Sequence, residues 1–144
     1  MSMKRLNREL KQIRENKSLP YKLGPKTDGD MSVWLATILG PTNTIYEGMS
    51  YDIEITIPMN GYPFKPPVPL MITPIMHPNI ENGKACLSLL KAWSPEKRIT
   101  SVVDEIITLL HMPCWEERIC MEPADKDEFT RQARQHTLRQ ISNL

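Results

Sequence analysis

The chain is poor in the features that mark specialised classes of protein. It has three cysteines in 144 residues, too few for a disulfide framework at this size. No apolar run approaches the roughly 20 residues that a membrane-spanning helix needs. The net charge is +1, so no global field draws the chain to nucleic acid or to a membrane surface, and neither is expected as a partner. There is no glycine-rich phosphate loop, so the chain need bind no nucleotide. Met1 to Lys17 is charged throughout and shows no signal-peptide pattern. Together these absences lead to the expectation of a soluble cytoplasmic or nuclear protein, in a reducing compartment that suits a working thiol. Thirteen prolines are many, but they fall between elements rather than in a low-complexity tract. With no internal repeat and no dividing linker, residues 1–144 read as one domain, long enough to bury a core.

The patterning that is present divides the chain into helix, strands, a loop and further helices. Met3, Leu6, Leu10 and Ile13 recur at helical spacing, predicting a helix over Met3–Asn16 with Lys4, Arg5, Arg8 and Lys11 off the apolar stripe. Tyr21–Leu23 and Trp34–Leu39 read as strands. The clearest alternation sets Tyr51, Ile53, Ile55 and Ile57 against Asp52, Glu54 and Thr56, a half-buried antiparallel strand. Leu70–Ile72 fits a fourth strand. Val102, Val103, Ile106, Ile107 and Leu110 predict a helix over Thr100–His111. Phe129, Ala133 and Leu138 give a weaker one over Asp125–Ile141. Strands grouped together and then helices indicate an α+β architecture.

Between these elements lies HPNIENGKACLSLL, His77 to Leu90, with Trp93-Ser94-Pro95 close behind. Asn82-Gly83 is a strong turn signal, because glycine takes positive φ without steric cost. A turn there folds the strand carrying Ala85, Cys86 and Leu87 back past His77 to Asn79. One thiol then stands near an imidazole and an amide, which raises nucleophilic cysteine chemistry. An asparagine amide near a thiolate can donate a hydrogen bond to an oxyanion formed on attack at a carbonyl. His77 is held extended by the proline after it and need not be a base; it can simply tie down the loop. The residues alone leave a plainer reading open, since a free cysteine is commonly a small buried hydrophobe. The order fits neither a simple metal knuckle nor the local signatures of common cysteine proteases. His111, Cys114 and Cys120 lack a paired Cys-x-x-Cys and a fourth ligand, so no metal or other cofactor is expected.

The order of His-Pro-Asn, glycine turn, Cys-Leu and Trp-Ser-Pro resembles the active-site signature of the ubiquitin-conjugating enzymes. The resemblance continues through Tyr62-Pro63-Phe64-Lys65-Pro66-Pro67, Trp34, Gly40-Pro41, Tyr46-Glu47-Gly48 and the N-terminal helix, covering residues 2 to 124. It implies a four-stranded antiparallel meander with an N-terminal helix and C-terminal helices. It also implies an acyltransferase that takes ubiquitin or a ubiquitin-like protein from an ATP-dependent activating enzyme as a thioester on Cys86. The modifier then passes to a substrate lysine or a ligase cysteine. Asn79 would stabilise the oxyanion or brace the loop, with His77 bracing Asn79. Glu117 falls where the family places an acidic gate beside the nucleophile. Lys4, Arg5 and Arg8 would dock the activating enzyme and ligases, against the plainer reading of a solvated face. Phe64, with Ser94 and Pro95, would anchor a ligase, against a reading of Phe64 as loop packing. Trp93 is taken as a core wedge.

The chain also departs from the family pattern. The stretches on either side of Cys86 are each one residue short. Ser88 stands where many ubiquitin members carry Asp and is similar to the SUMO-conjugating branch, which leaves the modifier open. Asp104 sits where an apolar contact to the donor modifier is common. Lys22 takes the approximate place of a serine used by some members for noncovalent modifier binding. His111–Glu117 replaces a Pro- and Asp-rich stretch, the segment from Glu122 to Asp125 is shortened, and the final helix is brief. Two other classes remain open: a catalytically silent binding module of the same fold, and an unrelated cysteine hydrolase using Cys86 with His77 or His111. The first usually lacks the cysteine present here. The second needs an orienting His–Asn/Asp pair and access for water.

Overall fold

Apolar side chains returning every three or four residues make the first element amphipathic, and the computed structural model, which describes residues 2–144, begins with helix α1 (Ser2–Glu15). Leu6 is fully buried, and Leu10 and Ile13 pack against the core. Met3, expected on the same stripe, is exposed. Ser2 anchors the first turn instead, its hydroxyl donating to the carbonyls of Met59 and Tyr62 at 2.8 and 2.6 Å.

Four antiparallel strands follow in sequential order: β1 (Lys22–Thr27), β2 (Asp30–Leu39), β3 (Ser50–Thr56) and β4 (Val68–Met71). Both β1 and β2 are longer than the patterning predicts. Asp28-Gly29 closes a tight hairpin between paired Thr27 and Asp30, and β1 runs through Gly24 and Pro25, which are poor strand formers. As an edge strand, β1 tolerates a proline that cannot donate to a ladder. β4 starts two residues before Leu70, and the Ile72 N–H continues the pairing by donating to the Asp52 carbonyl at 2.8 Å. Period-two alternation buries Trp34, Ala36 and Ile38 of β2 and Tyr51, Ile53 and Ile55 of β3 on one face.

Two short strands, β5 (Ile80–Glu81) and β6 (Lys84–Ala85), form a hairpin. A four-residue helix, α2 (Ser88–Lys91), comes next and was not anticipated, since one turn leaves no periodicity to read. Helix α3 (Ile99–His111) then buries Val102, Val103, Ile106 and Leu110 in the same core as the sheet. A 3-10 turn at Trp115–Glu117 leads to α4 (Lys126–Ser142), capped by the Asp125 carboxylate, which accepts from the Glu128 N–H at 2.9 Å. At 17 residues α4 is not brief. Its buried stripe is Phe129, Ala133 and Thr137; Leu138, expected on that face, is exposed because it lies one position past the four-residue repeat. The whole is α+β: a meander with an N-terminal helix and C-terminal helices. Among the described residues no helix is long and apolar enough to cross a membrane.

Candidate active site

The β5–β6 hairpin carries the thiol into place. Asn82 and Gly83 have φ of 52° and 81°, the two positive values that a two-residue type I′ turn demands. Glycine is needed at 83 for a second reason: a Cβ there would lie 2.5 Å from the Met71 carbonyl oxygen. That close approach lets the Met71 N–H donate to the Gly83 carbonyl at 2.8 Å, which docks the hairpin on β4. One residue past β6, the Cys86 N–H donates to the Asn79 carbonyl at 2.9 Å. The expected fold-back past His77–Asn79 is therefore present, and Cys86 is half-buried at its end.

The His77-Pro78-Asn79 segment is buried. The His77 ring, 0% exposed, bonds through Nε2 to the Leu109 carbonyl at 2.9 Å, and its Nδ1 accepts the Asn79 N–H at 3.0 Å. Those partners require a neutral ring with the proton on Nε2. Burial pushes its pKa from 6.5 down to about 4, against the opposing effect of the Leu109 carbonyl. Tyr46 stacks on the ring with centroids 5.6 Å apart. The Asn79 side chain, 2% exposed, donates through Nδ2 to the carbonyls of Cys114 and Glu117 at 2.8 and 3.2 Å, and its Oδ1 accepts the Cys114 N–H at 2.8 Å. The Pro78 carbonyl accepts from the N–H groups of Ile119 and Cys120. Asn79 is thus built into the loop over 111–120, with neither amide hydrogen left aimed at an oxyanion. His77 has both ring nitrogens engaged and is not poised as a base for Cys86.

On the other side of Cys86 the chain is open. Ser88 is exposed, and its hydroxyl donates to Glu105 Oε1 at 2.8 Å. The Glu105 carboxylate also accepts the Leu89 N–H at 3.2 and 3.1 Å, so a side chain of α3 caps the start of α2. At the end of that turn Lys91 is exposed, and its Nζ donates to Cys86 Sγ at 3.4 Å.

The remaining candidates separate by what they touch. Phe64 is 66% exposed in its proline-rich loop, so it does not serve as packing there. Trp93 is half-buried, donates to the Pro63 carbonyl at 2.8 Å and packs on Tyr62, bracing the Phe64 loop. Pro95 is exposed and Ser94 half-buried, its hydroxyl bonded to Glu96. Lys4 and Arg8 are exposed, but Arg5 is occupied within the chain. Its guanidinium donates to the Pro95 and Lys97 carbonyls at 2.7 and 2.6 Å and pairs with Glu9 at 3.0 Å. Arg5 therefore lies apart from the solvated face proposed for α1 and ties that helix to the loop after Trp93. Asp104 is exposed on α3 and accepts from the Tyr21 hydroxyl at 2.9 Å. Lys22 is exposed on the edge strand, and Glu117 is exposed at the end of the 3-10 turn. Cys114 is exposed, whereas Cys120 Sγ donates to the His77 and Ile80 carbonyls at 3.3 and 3.2 Å. Among the described residues no three His, Cys, Asp or Glu side chains group to hold a metal ion.

Sequence reasoning missed Glu105, Lys91 and Glu9. Glu9 is 2% exposed and accepts from the Tyr62 hydroxyl, the Ile99 N–H and Arg5. Its position opposite the polar face of α1, three residues after Leu6, was the available signal for burial. Nothing in the order of residues pairs Glu105 with Ser88.

A meander flanked by helices, with a hairpin-borne cysteine opposite a buried His-Pro-Asn, defines the ubiquitin-conjugating class of transferase folds. The family model for ubiquitin-conjugating enzymes matches residues 5–141, and the chain belongs to that family. It is similar to the E2 domain of a Toxoplasma gondii ubiquitin conjugating enzyme, with 31% identity and a TM-score of 0.83 over 96% of this chain and 98% of that one. It is also similar to a Plasmodium yoelii protein assigned as a ubiquitin conjugating enzyme, with 32% identity and a TM-score of 0.82 over 96% of this chain and 94% of that one.

Proposed function

We propose that residues 1–144 act as one catalytic domain that accepts ubiquitin, or a ubiquitin-like protein, from an activating enzyme as a thioester on Cys86. The acyl group then passes to a substrate lysine or a ligase cysteine. This is covalent catalysis, which divides one difficult transfer into two easier ones. The observation that carries it is the placement of Cys86: half-exposed, hydrogen-bonded through its backbone to Asn79, and flanked by loops that hold it without covering it. In this reading Asn79 and His77 are braces, and the oxyanion is met by groups other than the Asn79 amide. Glu117, whose carboxylate is exposed on the braced loop, orients the incoming lysine. Ser88 supplies no charge, so that task falls on Glu117, with Glu116 beside it.

Lys4 and Arg8 form the docking face for the activating enzyme and ligase, with Arg5 fixing the position of Pro95 beneath it. Phe64, Ser94 and Pro95 anchor the ligase; an exposed aromatic held on a braced loop suits an interface hot spot. Asp104 replaces an apolar contact on α3, so the donor modifier either docks weakly there or presents a basic surface. Work in the cytoplasm or nucleus follows from partners of this kind.

Incubation with activating enzyme, ATP and a panel of modifiers tests the reading. A reductant-sensitive adduct with one modifier supports conjugation and identifies that modifier. Absence of any adduct with binding retained would mean a binding module, and cleavage of modifier fusions without ATP would mean a hydrolase.

A further inference from the structure

We propose that Trp115 is a positioning residue for transfer to lysine: held by Arg118 and Phe129, its ring fixes the 3-10 turn that carries Glu117 and so sets where that carboxylate stands. This rests on the lysine-orienting role of Glu117 and adds the group on which that role depends. The half-buried Trp115 ring meets Phe129 of α4 edge-on, with centroids 5.5 Å apart. Phe129 is 2% exposed and belongs to the buried stripe of α4, which makes it a fixed wall. The Arg118 guanidinium lies over the indole, 4.4 Å from the ring centre, and its Nη1 donates to the Trp115 carbonyl at 3.4 Å. A cation in that place is attracted by the negative face of the ring. The salt bridges among the described residues involve Arg5, Lys26 and Arg131 but not Arg118, so no carboxylate draws the guanidinium off the indole.

The ring contact matters because the rest of the turn is held by its backbone. Asn79 bonds the Cys114 N–H and the carbonyls of Cys114 and Glu117. Within the turn, the N–H groups of Glu117 and Arg118 donate to the Cys114 and Trp115 carbonyls, each at 3.2 Å. Beside Trp115 lies a cavity of about 330 Å³, bounded also by Leu110, Phe129, Thr130 and Ala133, so the turn does not rest on close-packed side chains there. Without the indole that space widens, and the turn is free to pivot on its bonds to Asn79. Glu117, exposed and in none of those salt bridges, then loses its fixed origin. In the transfer, a lysine amine that has given its proton to water attacks the thioester carbonyl. The C–N bond forms, the C–S bond breaks and Cys86 leaves as thiolate. A carboxylate orients that amine only from a set position, since misplacement by about 1 Å can cost about 100-fold in rate. A cysteine acceptor brings no amine to orient, so transfer to it does not need the ring.

The test is a double-mutant cycle on single-turnover discharge of the preformed thioester, with free lysine and, separately, free cysteine as acceptor. Trp115→Ala should slow discharge to lysine about tenfold or more and leave discharge to cysteine at its native rate. Trp115→Phe, which keeps a ring for Phe129 and Arg118, should restore most of the lysine rate. If the ring acts through Glu117, Trp115→Ala should add no further slowing once Glu117 is replaced by alanine. Equal slowing of both acceptors, no slowing of either, full additivity with Glu117→Ala, or no rescue by Trp115→Phe would each overturn the inference. A second arm needs no thioester. Amide hydrogen exchange at Glu117 and Arg118 in the uncharged protein should quicken in Trp115→Ala and stay native in Trp115→Phe, with Ile53 of the inner strand β3 as comparator. Unchanged exchange at Glu117 and Arg118, or equal quickening at Ile53, would overturn the inference. A chain that takes no modifier counts against the thioester reading alone, and the exchange arm then decides whether the ring holds the turn.

Discussion

The two arms that meet at Cys86 are built on different terms. The upstream arm, His77 to Asn79, is buried; the His77 Nε2, the Asn79 side-chain amide and the Pro78 carbonyl are engaged by α3 and the loop over 111–120, and the His77 Nδ1 by the Asn79 N–H. The downstream arm, Cys86 to Lys91, is half-buried or exposed apart from Leu87, and is held by the Cys86 N–H bond to Asn79, by the packing of Leu87, Leu89 and Leu90 against the core, and by the Glu105 carboxylate. The difference teaches that the most recognisable part of the motif is scaffold, while the part that carries the thiol is left open. Buried polar groups stay where they are because an unpaired one is costly, so a fully satisfied segment makes a rigid reference for the thiol beside it.

The largest effect that would break this comparison concerns the imidazole. Because the folded pKa of His77 lies near 4 and the ordinary value is 6.5, the unfolded chain binds more protons between those limits. Stability should thus be unaffected by this group above the ordinary value and should fall as pH drops from 6.5 toward 4, by about 3 kcal/mol at 1.36 kcal/mol per unit. Denaturant titrations across that window should show a difference in slope between the native chain and His77→Gln, whose amide can both donate and accept but does not titrate. Parallel curves would mean that the ring is not buried neutral. Next in size, Asn79→Ala removes the bonds to Cys114 and Glu117 and should cost about 2–3 kcal/mol. An unchanged denaturation midpoint would remove the upstream arm from the scaffold.

The open arm should respond more weakly in stability. Glu105→Ala strips the cap from α2 and should cost about 1 kcal/mol. It should also raise amide exchange at Leu89; unaltered exchange there would show that α2 is held by something else. Smallest in stability is Glu117→Ala, an exposed change expected to stay within about 0.5 kcal/mol. Its effect should appear in single-turnover discharge, slowing transfer to lysine but not to cysteine. Equal slowing of both acceptors would place Glu117 in loop structure rather than in lysine orientation.

Local patterns carried much of this architecture in the sequence. The alternation from Tyr51 to Ile57, the apolar repeat of α3 and the Asn82-Gly83 turn each depend on neighbours within a few residues, so each was legible. β1 was truncated because Gly24 and Pro25 conceal an edge strand. Leu138 was misplaced because the periodicity of α4 is weak, and Thr137 completes its buried stripe. At the site, the position of Cys86 opposite Asn79 follows from the turn. The partners that decide what each residue does were not legible, because they come from far along the chain. Arg5 reaches the Pro95 and Lys97 carbonyls, Asn79 reaches Cys114, and Ser88 reaches Glu105. The family resemblance implied docking for Arg5 and either oxyanion stabilisation or loop bracing for Asn79; in the structure Arg5 ties α1 to the loop after Trp93, and the Asn79 side chain is bonded into the loop over 111–120.

The proposal that Cys86 carries the acyl group is tested most directly by intact mass after charging with activating enzyme, ATP and modifier. The native chain should gain one modifier that is lost on treatment with thiol reductant. Cys86→Ser should gain one more slowly, as an oxyester that survives that treatment. Cys86→Ala should form no reductant-sensitive adduct, with Cys114 and Cys120 still in place. A reductant-sensitive adduct on Cys86→Ala, or none on the native chain with any modifier, would contradict the assignment.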